Sequence, residues 1–230
     1  MGRPRVNHSM DAILGGAIAM LDRGGEAHLT LRGLAAHLGG GVGSLYWYVE
    51  SKDELIDRAT DHLTGQALAK VSGRPHGDDP IAHLRALGVA LFDVLEAHPW
   101  MARYLMRDVD AQLNTLRYWD RVGQEIKRLG LPRADCFYGA SAIVSFVVGA
   151  AAQMSYQGPT EDHPTRAEFL AHTVRAWSDL PADEFPYVHS MIDTFATHDD
   201  RDQFLFGLDL VIEGLRSRAT RARGQQAQRT

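Results

Sequence analysis

Cysteine is almost absent from this 230-residue chain, with Cys136 standing alone. A single thiol excludes an internal disulfide and a cysteine-built zinc cluster, and it suits a reducing compartment such as the cytoplasm. An excess of positive charge is missing too. The net charge is −5, so the whole molecule has no bias toward polyanions, and any nucleic-acid contact has to be a local patch. Arg3 and Arg5 near the N-terminus have no apolar run beside them, so no secretory signal is expected. The chain has neither strand-like alternation of useful length nor an internal repeat. His-Glu-x-x-His and Gly-x-Ser-x-Gly signatures are absent, and Cys136 lies in an apolar segment where a thiol is inert. His163 and His172, with Glu168 between them, have the spacing of solvated side chains rather than of metal ligands. An enzyme is therefore not expected, nor are a cofactor or a bound metal.

Helical periodicity is what the chain does contain. Ile13, Leu14, Ala17, Ile18 and Leu21 form one stripe, with Ser9 as its N-cap and Gly24-Gly25 as its stop. Leu31, Leu34, Ala35 and Leu38 repeat behind Thr30 as cap. Ser51-Lys52-Asp53-Glu54 reads as a capping box opening a helix with Leu55, Ile56, Ala59 and Leu63 inward. The polar SGRPHGDDP, residues 72 to 80, marks a boundary. Beyond it, helices are expected over 80–97, 100–107, 110–129, 133–156, 166–180, 184–198 and 201–219, punctuated by prolines. The fold class is all-α. A unit over residues 1–72, with a linker helix to about 72, precedes a larger one over 80–220, and a polar tail, 221–230, is expected to be disordered.

GGGVGSLYWYV, residues 39 to 49, poses the functional question. A phosphate-binding loop needs a preceding strand and a lysine directly after its last glycine, whereas here the preceding element is helical and the next lysine is Lys52. The Rossmann variant fails for want of the same strand. Two short helices, 31–38 and 42–48, joined by a glycine turn match a helix-turn-helix instead. Leu45 and Val49 then turn inward. Val42, Gly43, Ser44, Tyr46, Trp47 and Tyr48 are left for the outer face and its flanks.

The segment TLRGLAAHLGGGVGSLYWYVESKDELI resembles the DNA-binding domain of the TetR family of bacterial transcriptional repressors. EAHPWMARYL is similar to the join between the first two helices of that family's ligand-binding domain, and FLFGLDLVIEGL, 204 to 215, to the last helix of its tetracycline repressor branch. Gly40 departs from the pattern, standing where the family usually has an apolar residue. The resemblance implies phosphate contacts by Thr30, Arg32, Ser44, Tyr46, Tyr48 and Lys52, and places Val42, Gly43 and Trp47 nearest the base edges and thymine methyls. Packing within the three-helix core is the competing role for Trp47 and Tyr46. Neither Val42 nor Gly43 can read a base in bidentate fashion, so site preference would rest partly on DNA shape. Residues 1 to 60 hold six basic and seven acidic groups, so affinity has to come from local placement and from a dimer; Arg3 and Arg5 are candidates for an accessory arm.

In the larger half, Gly139, Ala142, Ser145, Gly149 and Ala152 form a small-residue face, and the final helix presents Phe204, Leu208, Val211, Ile212 and Leu215. The resemblance implies that these two helices pair with their twofold mates in a homodimer. Such a dimer brings two reading helices to the half-sites of a palindromic double-stranded operator, about one helical turn apart. The stretch from Ala134 to Met154 contains one charge, Asp135, and approaches membrane-spanning length. Its richness in Gly, Ala and Ser, with Gln153, favours a helix buried in protein, and no membrane partner is expected. The effector pocket is expected around Leu87, Trp100, Tyr104, Leu105, Trp119, Val122 and Phe137, although periodicity alone also allows ordinary core for these residues. The family's magnesium-chelating histidine would fall on Leu105, and its drug-gripping amides on Leu87 and Val122, which points to an apolar effector in place of a metal chelate. The expected function is a repressor released from DNA by such a molecule. The alternatives are a helical small-molecule-binding protein and a helical enzyme, neither with a DNA function.

Overall fold

The computed structural model describes residues 9–72, 79–108, 110, 112–155 and 165–227, and these form helices and turns without a strand. Expectations placed on Arg3, Arg5, His163 and most of the polar break over 72–80 concern residues outside that set.

The first helix, α1 (Met10–His28), starts where Ser9 Oγ accepts the Ala12 amide at 3.1 Å. Gly24 and Gly25 kink it rather than end it. Gly25 takes φ 62°, and a short turn continues to His28. Thr30 Oγ1 accepts the Gly33 amide and opens α2 (Leu31–His37). That helix ends with Gly39 at φ 74°, as Gly39 N donates to Ala36 O and Gly40 N to Ala35 O. This is a Schellman closure, which needs glycine at the left-handed step. The reading helix α3 (Val42–Leu45) is shorter than expected. Tyr46–Tyr48 form a turn, with the Tyr48 and Val49 amides both on Leu45 O.

The next helix, α4 (Lys52–Ser72), begins with half of the expected capping box. Ser51 Oγ accepts the Glu54 amide at 3.0 Å, but the Glu54 carboxylate accepts from Glu50 N and Arg58 instead of turning back to Ser51. There follow α5 (Pro80–Ala97), a 3-10 turn (Pro99–Arg103), α6 (Leu113–Arg128), α7 (Arg133–Ser155), α8 (Arg166–Ser178), α9 (Pro186–Thr197) and α10 (Asp200–Ala227). The last helix continues through residues 221–227, where polar composition suggested a disordered tail. The expected helix over 100–107 is the 3-10 turn followed by non-helical residues, because Pro99 starts a tight turn and Met106 sits at φ 62°.

Two apolar cores result. The smaller joins Ile13, Leu14, Ala17 and Leu21 of α1 to Leu34, Leu45, Val49, Leu55, Ile56 and Ala59. The larger gathers α5, α6, α7 and α10 around stacked Phe92 and Phe204, whose ring centroids lie 3.7 Å apart. Helix α4 belongs to both, since Leu63, Ala67 and Val71 enter the second core. It therefore couples the two units through one rigid rod. Helices α8 and α9 pack on each other with Trp177 against Phe195, and Arg166 ties their base to Asp200 and to His198 O.

Candidate nucleic-acid interface

Burying Leu45 and Val49 turns the rest of the α3 region outward. Trp47 is 85% exposed and Tyr46 57%, so neither ring packs in the three-helix core. Two large rings held side by side in water mark a contact surface. Gly43 is exposed beside them, while Val42 and Tyr48 are half-buried against the small core. Ser44 is half-buried, and its Oγ donates to Gly41 O at 2.7 Å. Thr30 and Arg32 are exposed at the start of α2, the Thr30 oxygen already serving as cap. Helices α2 and α3, which carry or flank these residues, pack on each other.

Lys52 is placed differently from its neighbours. Its Nζ lies 3.2 Å from Glu26 Oε1 and 3.3 Å from Glu26 O, both on the kinked end of α1. Tyr104 donates its hydroxyl to the other oxygen of the same carboxylate. That bond, then Lys52, holds the Glu26 carboxyl below its ordinary range, while burial and then Glu26 push Tyr104 up to about 12. At neutral pH the carboxylate is thus charged and the phenol protonated.

Tyr104 and Trp100 were expected around an effector, but the structure places them at the junction between the two cores. Trp100 Nε1 donates to Asp22 Oδ1 at 2.7 Å, and His98 Nδ1 lies 2.8 Å from the same oxygen. Tyr104 is buried within the small core. Arg107 sits over its ring at 4.8 Å and grips buried Asp57 with Nε and Nη2, at 3.1 and 3.0 Å. This paired bond raises the Arg107 pKa further above its ordinary value. Gln112 Nε2 donates a hydrogen bond to Asp57 Oδ1 at 3.0 Å, and Asp61 accepts the Asn114 and Thr115 amides, capping α6 from α4. Sequence reading passed over Asp22, Glu26, Asp57, Asp61 and Arg107. Their hydrogen-bond partners across the junction lie 26 to 78 positions away, beyond the reach of any local pattern. An open cleft of about 940 Å³ borders this junction between Leu14, Glu50, Arg58, His62 and Leu113.

The other proposed pocket residues are spread through the larger unit. Leu87 and Val122 are buried in its core, and Leu105 and Trp119 lie partly buried against it. Phe137 is 61% exposed, edge-on to Trp119 at 6.1 Å between centroids. Burial, then Asp135, raises the Cys136 thiol, which keeps it a weak nucleophile.

The small-residue face of α7 is divided. Gly139 is buried where a side chain would meet Leu215, while Ala142, Ser145 and Gly149 are exposed. On α10, Phe204, Leu208 and Leu215 lie in the chain's own core and Val211 is half-buried. That corrects the expected facing surface, because the large apolar side chains α10 turns outward are Phe206 and Leu210. Helix α7 is long and apolar enough to cross a membrane, but it packs against α5, α6 and α10.

A three-helix unit with an exposed aromatic reading edge, carried by a helix shared with a larger helical body, defines a helix-turn-helix DNA-binding regulator. Residues 73–219 match the family model described as tetracyclin repressor-like, C-terminal domain. The chain belongs to the TetR family of transcriptional regulators, whose members bind DNA and form dimers, and it is not an enzyme. It is 29% identical to the HTH-type transcriptional repressor DrrR1 of Streptomyces coeruleorubidus over 97% of this chain and 83% of that one. The transcriptional regulator SCO7222, a TetR from Streptomyces coelicolor, matches at 33% identity with a TM-score of 0.78, covering 92% of this chain and 99% of its own. The TetR family protein ActR of the same species, solved in complex with actinorhodin, matches at 25% identity and TM-score 0.76, over 93% and 99%.

Proposed function

We propose that this protein is a cytoplasmic homodimeric repressor that holds a palindromic operator and releases it when a small, largely apolar molecule binds the larger unit. The exposed Tyr46–Trp47 edge beside the short α3 carries the reading, because no packing role within the chain accounts for it. Arg32, Thr30 and Lys52 lie around that edge as phosphate partners, and Val42, Gly43 and Trp47 are the base-proximal set. The dimer face is formed by Ala142, Ser145 and Gly149 of α7 with Phe206 and Leu210 of α10. Small residues on one helix allow close approach, and the two large side chains on the other supply apolar area. Leu87, Leu105, Trp119, Val122 and Phe137 are the candidate effector walls, while Trp100 and Tyr104 transmit at the junction. Apolar residues at Leu87, Leu105 and Val122 favour a lipophilic effector bound without metal, and a relative solved with actinorhodin is in keeping with that.

Footprinting on the DNA flanking its own gene tests this reading. Two protected half-sites, with centres about one helical turn apart, are expected. Uniform protection irrespective of sequence, or none, would overturn it.

A further inference from the structure

The Lys52 ammonium faces two claimants. In this structure it is held by Glu26, yet it lies at the first turn of α4, two residues past the aromatic edge's flank at Glu50. We infer that Glu26 competes with DNA phosphate for Lys52, so that this carboxylate is a built-in brake on operator affinity, and that Tyr104 sets how hard the brake grips. The inference rests on the reading that Lys52 meets a phosphate.

Three features favour competition over a fixed structural bond. The Lys52 and Glu26 side chains remain 36% and 42% exposed, and a half-exposed lysine–carboxylate pair is weak and easily traded for another anion. The ammonium makes one contact with the carboxylate and a second, at 3.3 Å, with the Glu26 carbonyl, not a paired guanidinium grip on the carboxylate, so it can swing on its flexible stem. The carboxylate is also shared, because its second oxygen takes the Tyr104 hydroxyl from the junction segment. With that hydroxyl present, part of the carboxylate's hydrogen-bonding capacity is occupied and its charge is spread over two donors. Without it, the charge falls on Lys52 alone. Tyr104 is followed by Arg107, which covers its ring and grips Asp57 of α4. A shift of the junction segment that withdraws Tyr104 therefore tightens Glu26 on Lys52, and the small unit loses a phosphate contact.

The test is anisotropy of a labelled duplex carrying the DNA flanking the protein's own gene, titrated with the full chain across a range of salt. Glu26→Gln should bind about three- to tenfold more tightly as a dimer, the range expected from removing one weak ion pair per subunit. The gain should shrink as salt rises, since the pair it removes is itself screened. In a Lys52→Ala background the same substitution should give a clearly smaller gain, limited to the loss of a negative charge near DNA. Tyr104→Phe should weaken binding in the wild type and have no effect once Glu26 is Gln, a dependence that a merely structural hydroxyl would not show. Glu26→Ala must behave like Glu26→Gln, because loss of the carboxylate is what matters. An equal gain with and without Lys52, or no gain at all, overturns the brake. If Lys52→Ala leaves both affinity and salt dependence unchanged, the phosphate reading of Lys52 fails first, and the brake falls with it.

Discussion

Trp47 keeps 85% of its surface in water while Leu45, two positions earlier, has none exposed. An indole in that position contributes nothing to the core, so its removal should leave thermal stability unchanged. Its proposed role lies on the base side of the interface. Trp47→Ala is expected to flatten discrimination at the base pair it touches, where a mismatch ordinarily costs about 1–3 kcal/mol. Lys52→Ala should instead weaken binding to all sequences alike and lower the salt slope by about 0.9 per lost phosphate contact, twice that for a dimer. Competition binding with a panel of single-base operator variants separates the two. Equal losses for Trp47→Ala on every variant would make it another backbone contact. Much of this edge was legible in the sequence, because Leu45 and Val49 follow helical spacing and leave the aromatic run for the outer face and its flanks. Only the structure shows that Tyr46 and Trp47 stay out of the core while Tyr48 packs against it. The Glu26 grip on Lys52 was not legible, since the kink at Gly24-Gly25 turns what reads as a helix stop into a turn aimed at α4.

Helix α4 connects local pattern to long-range order. Its apolar residues were read correctly as one inward stripe, but only the structure shows that the stripe changes core between Ala59 and Leu63. Asp57 and Asp61 on the same helix were left unread, and they join the two units. Asp61 is the most direct case, accepting the Asn114 and Thr115 amides at 2.6 and 3.0 Å and closing the first turn of α6 from another helix. Asp61→Ala should cost about 1–2 kcal/mol, as loss of a good helix cap does, and lower the midpoint of thermal unfolding by a few degrees. An unchanged midpoint would show that water replaces the carboxylate. Helix α3 shows the opposite limit of sequence reading. A seven-residue helix was expected, but the α-helix ends at Leu45, and Tyr46–Tyr48 close in a tight turn whose Tyr48 and Val49 amides share Leu45 O.

At the scale of the whole molecule, a net charge of −5 works against DNA binding, and a single three-helix unit offers few cations to counter it. Pairing two units doubles the local contacts on one duplex while the charge per chain stays the same, so the account stands on the dimer. The family resemblance points to α7 and α10 as its helices, but on α10 the side selected from the spacing fills the core. Periodicity finds an apolar stripe and cannot say which of two apolar sides faces its own chain. The outward residues Phe206 and Leu210 are the ones to challenge. The most direct measurement is sedimentation of the wild type and of Leu210→Glu, free and with a labelled duplex carrying the flanking DNA. The account predicts that the wild type is a dimer that seats two chains per operator, and that the variant is a folded monomer whose operator affinity is at least about tenfold weaker, through loss of the linked second site. A wild-type monomer, or a monomeric variant that binds the operator as tightly as the wild type, would contradict it.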